Sequence, residues 1–248
     1  MRFTGVVDDF DKKYGGLSRM TLWPMLAVVA IILGWSQPNL AQSPPAAPSN
    51  MAIRVTEARK ANAALMRQYS WTSRTDVMDQ GQVKDIRIDT VNYGPDGQLQ
   101  RSVVKDESSR LPFGFVRRRI AEFERKKVAE YLEGLRGLLE QYTLPTAGKV
   151  QDFMSSAVAT GPDASGLFEM TGRNVVLPGD TFSLWVDPLT RHASKVQVAT
   201  IFQGDPVTLT ATLKTLASGL SHVAYAELTV PAKQMSVQVQ NFDYNRNN

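Results

Sequence analysis

The sequence predicts an α+β fold, a curved antiparallel β-sheet with helices laid against one side. Three observations predict it. From Gly166 to Tyr244, apolar and polar residues alternate almost without interruption. A second alternating block, Ser70–Lys105, is broken only by short turn clusters. Helical stretches with one apolar stripe each stand before and after that block. Successive strand side chains point to opposite faces, so alternation means one buried face and one that is wet or lines something. With 248 residues, 43% hydrophobic and 21% charged, the chain has the make-up of a globular protein with a sizeable core.

In chain order, Met1–Met20 is polar and carries Lys12, Lys13 and Arg19. Thr21–Trp35 is then an apolar run of 15 residues. A membrane span takes roughly 20 residues, whereas the apolar part of a signal peptide takes about 7 to 15. Ser36–Ser43 follows, with small residues suited to cleavage near Ala41. Residues 1–41 therefore read as an export signal or, if uncleaved, as an N-terminal anchor. Residues 42–49 read as a flexible, Pro- and Ala-rich leader. The expected location is periplasmic or secreted, with membrane tethering if the signal stays on.

One domain is expected over residues 50–246. Asn50–Tyr69 reads as a helix with Asn50 as N-cap and a stripe of Met51, Val55, Ala58, Leu65, Met66 and Tyr69. Ser70–Met78, Gln82–Tyr93 and Gln98–Lys105 read as a meander joined through Asp79-Gln80-Gly81 and Gly94-Pro95-Asp96-Gly97. In the second strand Ile86, Ile88 and Thr90 share one face, and Arg87, Asp89 and Val91 the other.

A helical insert, 111–158, interrupts the β pattern. Its stripe runs through Val116, Ile120, Phe123, Val128, Tyr131 or Leu132, Leu135, Leu139 and Tyr142. Pro145 ends the first helix, and a shorter one is expected over Thr146–Val158. The strands Asp180–Asp187, Lys195–Gln203, Pro206–Thr215, His222–Val230 and Gln234–Tyr244 complete the chain.

Composition narrows the chemistry. Of 28 basic and 24 acidic residues, four and three lie in residues 1–41, which leaves an excess of only three positive charges. That is too little, and too dispersed, for a nucleic-acid protein. The absence of cysteine removes disulfides, thiolate metal sites, cysteine nucleophiles and lipidation at the export signal. His192 and His222 lie far apart, outside any metal-ligand spacing, and read as solvated turn residues. No G-x-S-x-G or phosphate-cradling glycine motif occurs. Neither an enzyme nor a cofactor or metal is expected.

Leu184-Trp185-Val186-Asp187-Pro188-Leu189-Thr190, with Lys195–Gln203 returning, resembles the strand–D-P-x-T–strand hairpin of the LolA-like superfamily of periplasmic lipoprotein carriers and envelope sensors. Asn92–Leu99 is similar to a second such hairpin. The resemblance implies a strongly curved antiparallel half-barrel whose concave face is covered by helices. It also implies a lipid or acylated protein as partner. On that basis Trp71, Phe123, Phe182, Trp185, Phe202 and Leu209 are the expected cavity lining.

The same side chains also suit a packed core, and a filled module that acts on an envelope partner protein is the alternative. Arg117, Arg118, Arg119, Lys126 and Lys127 read either as a solvated helix face, with pairs such as Glu122–Lys126, or as a surface meeting an anionic membrane or partner.

Overall fold

The computed structural model describes residues 50–108, 115–144, 146–190 and 192–247, with backbone alone for Met51, Ser108 and residues 115–125. Residues 1–49, expected to hold the export signal or anchor and the leader, lie outside the described residues.

Turns, together with β-bulges within four of the hairpins, set the registers. Gln80 and Gly81 both have positive φ, 53° and 72°, as a two-residue type I′ hairpin requires. They join β1 (Tyr69–Asp79) to β2 (Gln82–Tyr93). The turn into β3 (Leu99–Ser108) is held by Asp96 Oδ1, which accepts from the Gln98 amide at 2.9 Å. The D-P-x-T turn lies between β6 (Thr181–Val186) and β7 (Ala193–Phe202), where Asp187 Oδ1 accepts from the Leu189 amide at 2.8 Å. Gln203-Gly204 leads into β8 (Asp205–Thr215), which is followed by β9 (Ser221–Val230) and β10 (Met235–Arg246). Two further strands, β4 (Val158–Thr160) and β5 (Phe168–Arg173), precede β6.

β10 pairs with β1, so the two alternating blocks fuse into a single antiparallel sheet of ten strands ordered β3-β2-β1-β10-β9-β8-β7-β6-β5-β4. The end strands β3 and β4 do not pair, so the sheet is not closed into a barrel.

Three described helices, α1 (Asn50–Met66), α2 (Phe115–Glu140) and α3 (Ala147–Ser156), share one face of this sheet. Direct cross-strand pairing lines up Phe182, Val198, Leu209, Leu228, Val237 and Val77 in one buried row across six strands. Tyr131, Leu132, Leu135, Leu139 and Tyr142 of the α2 stripe, with its 3₁₀ extension, are buried in the same cluster, as are Val150 and Phe153 of α3. Each such side chain, fully buried, stabilises by about 1.5–3 kcal/mol. The helices follow the apolar face because nothing else covers it.

Two polar contacts fix α1. Of its predicted stripe, Val55, Leu65 and Met66 face inward, together with Ala52, Arg59 and Asn62, while Ala58 is exposed. Arg59 donates through Nη1 to the Leu144 carbonyl at 2.9 Å, and through Nη2 to that of Thr143. Asn62 exchanges two hydrogen bonds with the Ser221 backbone, at 2.8 and 2.9 Å. The helix stops at Met66, and Tyr69, expected in its last turn, opens β1 instead.

A second anchor ties the end of α2 to the sheet. The Asp180 carboxylate accepts from the amides of Val175, Val176 and Leu177 at 2.6–2.8 Å, and from the Tyr142 hydroxyl at 2.6 Å. Thr200 Oγ1 lies 2.9 Å from the same hydroxyl. Burial pushes the Asp180 pKa up, but these donors outweigh it and hold the carboxyl below its ordinary value.

Two expectations need correction. His222 is not a solvated turn residue: it lies in β9, buried beside Tyr244 with ring centroids 4.1 Å apart. His192 does sit exposed in its turn. Val158 belongs to a strand and not to the preceding helix, because Ala157 turns extended (φ −72°, ψ 139°) after Ser156.

Candidate functional site

On β1 the side chains facing the helices are Tyr69, Trp71, Ser73, Thr75 and Val77, all buried. A β-bulge just past the hairpin, where Met78 pairs with Val83 but Val77 with Asp85, then decides which face of β2 joins them. Thr75 pairs with Arg87, Ser73 with Asp89 and Trp71 with Val91. The face that looks wetter in sequence therefore goes under the helices. Ile86 and Ile88 take the half-buried opposite side, and Thr90 is exposed.

The outcome is a polar belt on a mostly apolar face. Arg87 Nε donates to both oxygens of Asp89, at 2.8 and 3.0 Å, with the two side chains 6% and 1% exposed. Arg101 of β3, also buried, brings its Nη1 to 3.7 Å from Asp89 Oδ2. Burial brings the Arg101 pKa down to about 10, helped by the like charge of Arg87 and opposed by Asp89. The group is still cationic at pH 7, so two guanidiniums share one carboxylate. Ser73 Oγ, Thr75 Oγ1, Arg87 Nη2 and His222 Nδ1 are buried without a hydrogen-bond partner among the described residues. Burial holds the His222 imidazole below the usual histidine pKa, so it is neutral at pH 7.

The belt separates two apolar clusters. The larger is the core under α2 and α3. The smaller gathers Met66, Tyr69, Trp71, Val91 and Leu220, with Tyr93, Leu99 and Tyr244 against it. Trp71 stacks on Tyr244 (centroids 5.6 Å, planes 11° apart) and tilts against Tyr93 at 6.1 Å.

The expected lining residues are thus distributed unevenly. Phe182 packs edge-on to Phe153 at 5.0 Å, Phe202 edge-on to Tyr131 at 5.1 Å, and Leu209 is buried between Val198 and Leu228. All three belong to the larger cluster, whereas Trp71 belongs to the smaller. Trp185 joins neither. It pairs across strands with Glu169 and Lys195 on the other face of the sheet, with Lys195 Nζ 4.2 Å from its ring centre. Alternation forbids it the side taken by Phe182 and Leu184.

Phe123 and the side chains of Arg117, Arg118 and Arg119 lie outside the described residues. Lys126 and Lys127 are exposed on α2, and Lys126 forms a solvent-exposed i,i+4 pair with Glu130 at 3.8 Å. Among the described residues no cluster of acidic or histidine side chains is arranged for a metal ion, and no helix is long and apolar enough to cross a membrane.

No family model matches the sequence, and no curated protein is similar to it in sequence. Three solved structures align with most of the chain. One is a DUF1329 family protein from Desulfovibrio piger, with 9% identity, 79% of this chain and 90% of that chain covered, and a TM-score of 0.33. Another is a putative outer membrane lipoprotein-sorting protein domain from Vibrio parahaemolyticus, with 10% identity, coverage of 79% and 93%, and a TM-score of 0.36. The third is a LolA superfamily protein from Nitrosomonas europaea, with 9% identity, coverage of 82% and 95%, and a TM-score of 0.30.

Proposed function

We propose that this is an exported, non-enzymatic envelope protein that binds an amphiphile, a lipid or lipid-linked chain, between its sheet and its helices, as a carrier or a sensor. The polar belt carries the reading. Buried polar groups without partners are costly, at about 1–3 kcal/mol each, and are rare in a finished core. Here three of them, Ser73 Oγ, Thr75 Oγ1 and Arg87 Nη2, sit together on cross-strand neighbours with an aromatic cluster alongside. A ligand with a polar end and an apolar chain satisfies both surfaces at once. In this reading the sheet bends round the helices as a half-barrel, and the chain lies toward Trp71, Tyr93 and Tyr244. The export signal at residues 1–41 supplies the compartment, and the exposed Lys126 and Lys127 suit approach to an anionic membrane surface.

A second reading, a filled module acting on an envelope partner, is favoured by the close packing of Phe182 and Leu209 in the main core. A fluorescent fatty-acid probe separates the two. The first reading predicts a saturable rise in emission at one site per chain, reversed by unlabelled lipid. A signal that never saturates, together with a partner protein lost on changing Arg117–Arg119 to Glu, favours the second.

A further inference from the structure

We infer that the belt is the seat of an anionic group, a carboxylate or a phosphate at the head of the bound amphiphile, with Arg87 as its principal ligand. This rests on the amphiphile reading and goes beyond it by assigning a charge and a residue. Arg87 is held in place by Asp89, both of whose oxygens are engaged by its Nε, while its buried Nη2 has no hydrogen-bond partner among the described residues. Guanidinium presents donors in a rigid fork that matches carboxylate and phosphate oxygens.

The neighbours complete the same chemistry. Thr75 stands directly across from Arg87 and Ser73 across from Asp89, and such pairs hold their Cβ atoms about 4.5–5.5 Å apart. Their buried hydroxyls add two short donors on the same face. Arg101 contributes a second positive charge, so that two guanidiniums stand against the single buried carboxylate of Asp89. Asp106, the cross-strand partner of Arg87 on β3, is exposed, where solvent screens its charge. A cation meets net repulsion here, and a neutral head leaves the guanidinium edge unsatisfied. An oxyanion fits both the charge and the donors.

The test uses the full chain, freed of carried-over lipid, and four single-chain amphiphiles of equal chain length. Their heads are a carboxylate, a phosphate monoester, an alcohol and a trimethylammonium. The inference predicts that carboxylate or phosphate binds at least about tenfold more tightly than alcohol or ammonium, the scale of one charge-assisted hydrogen bond. The tighter of the two anions identifies the natural head. Arg87→Met is expected to bring the preference within about twofold. The milder pair Ser73→Ala/Thr75→Val, which leaves the buried ions in place, is expected to reduce it about threefold. Equal binding of all four heads by the wild type overturns the inference and leaves the amphiphile reading standing. So does a preference that survives unchanged in a folded Arg87→Met or in the hydroxyl pair. Failure to bind any of the four overturns both.

Discussion

Asp180→Ala is expected to lower stability by about 3–4 kcal/mol at pH 7, since it strips an acceptor from three part-buried amides and a buried tyrosine hydroxyl at once. The loop before β6 and the end of α2 both lose their tie to the sheet. Urea unfolding of the two proteins reads the difference directly. Its pH dependence follows from the depressed carboxyl. A group whose pKa is lower folded than unfolded stabilises fully above the unfolded value, near 4 for aspartate, and loses that contribution as pH falls through the folded value. The gap between wild type and Asp180→Ala should therefore stay constant from pH 7 to about 5 and shrink below about pH 4. A gap under about 1 kcal/mol at pH 7, or one that widens with acid, contradicts this account of the anchor.

Asp89→Asn should cost still more, about 3–5 kcal/mol, because it takes away the carboxylate against which the Arg87 and Arg101 guanidiniums are buried. The loss belongs to the uncompensated cations and not to the missing bond. Adding Arg87→Met to Asp89→Asn is therefore expected to recover more than about 1 kcal/mol, so that the double variant is more stable than Asp89→Asn alone. Thermal melts of the wild type, the two singles and the double close the cycle. If the double variant is less stable than Asp89→Asn, the loss does not come from burying guanidinium charge that the carboxylate had balanced. The same cycle repeated with a bound anionic amphiphile should show Asp89→Asn partly rescued, since the ligand replaces the lost negative charge.

Most of the sheet is legible in the residues. Period-two alternation over Thr208–Leu213 and Met235–Gln240 finds β8 and β10. Asp-Pro-Leu-Thr and Pro-Asp-Gly mark turns where the structure makes turns. The α2 stripe from Leu132 to Tyr142 is buried as its spacing implies. In each case the pattern repeats often enough for burial of one face to outweigh every competing choice.

The belt was hidden for a physical reason. Ile86 and Ile88 look like core, and Arg87 and Asp89 look like surface, yet β2 cannot choose its face alone. A β-bulge beyond the Gln80-Gly81 turn, where Met78 pairs with Val83 but Val77 with Asp85, shifts its register by one residue against β1, whose Trp71 and Val77 face the helices, and that puts Ile88 on the opposite side. The inward Arg59 and Asn62 escaped for a similar cause, because their partners lie 159 residues away at Ser221 and 84 residues away at Thr143. Trp185 shows the reverse error, in which the resemblance placed it in the cavity lining while the alternation of Phe182 and Leu184 already excluded it from their side. The Asp180 anchor looks in sequence like an ordinary strand start. Only the loop folded back over it, with three amides converging on one carboxylate, reveals its role.

The central claim is that an amphiphile occupies the helix-covered face. Native mass spectrometry of the protein, expressed for export in an envelope-bearing host and never exposed to detergent, tests it most directly. The account predicts one species heavier than the bare chain by the mass of a single amphiphile, whose solvent extract yields that molecule. Bare chain alone, with no lipid in the extract, contradicts it.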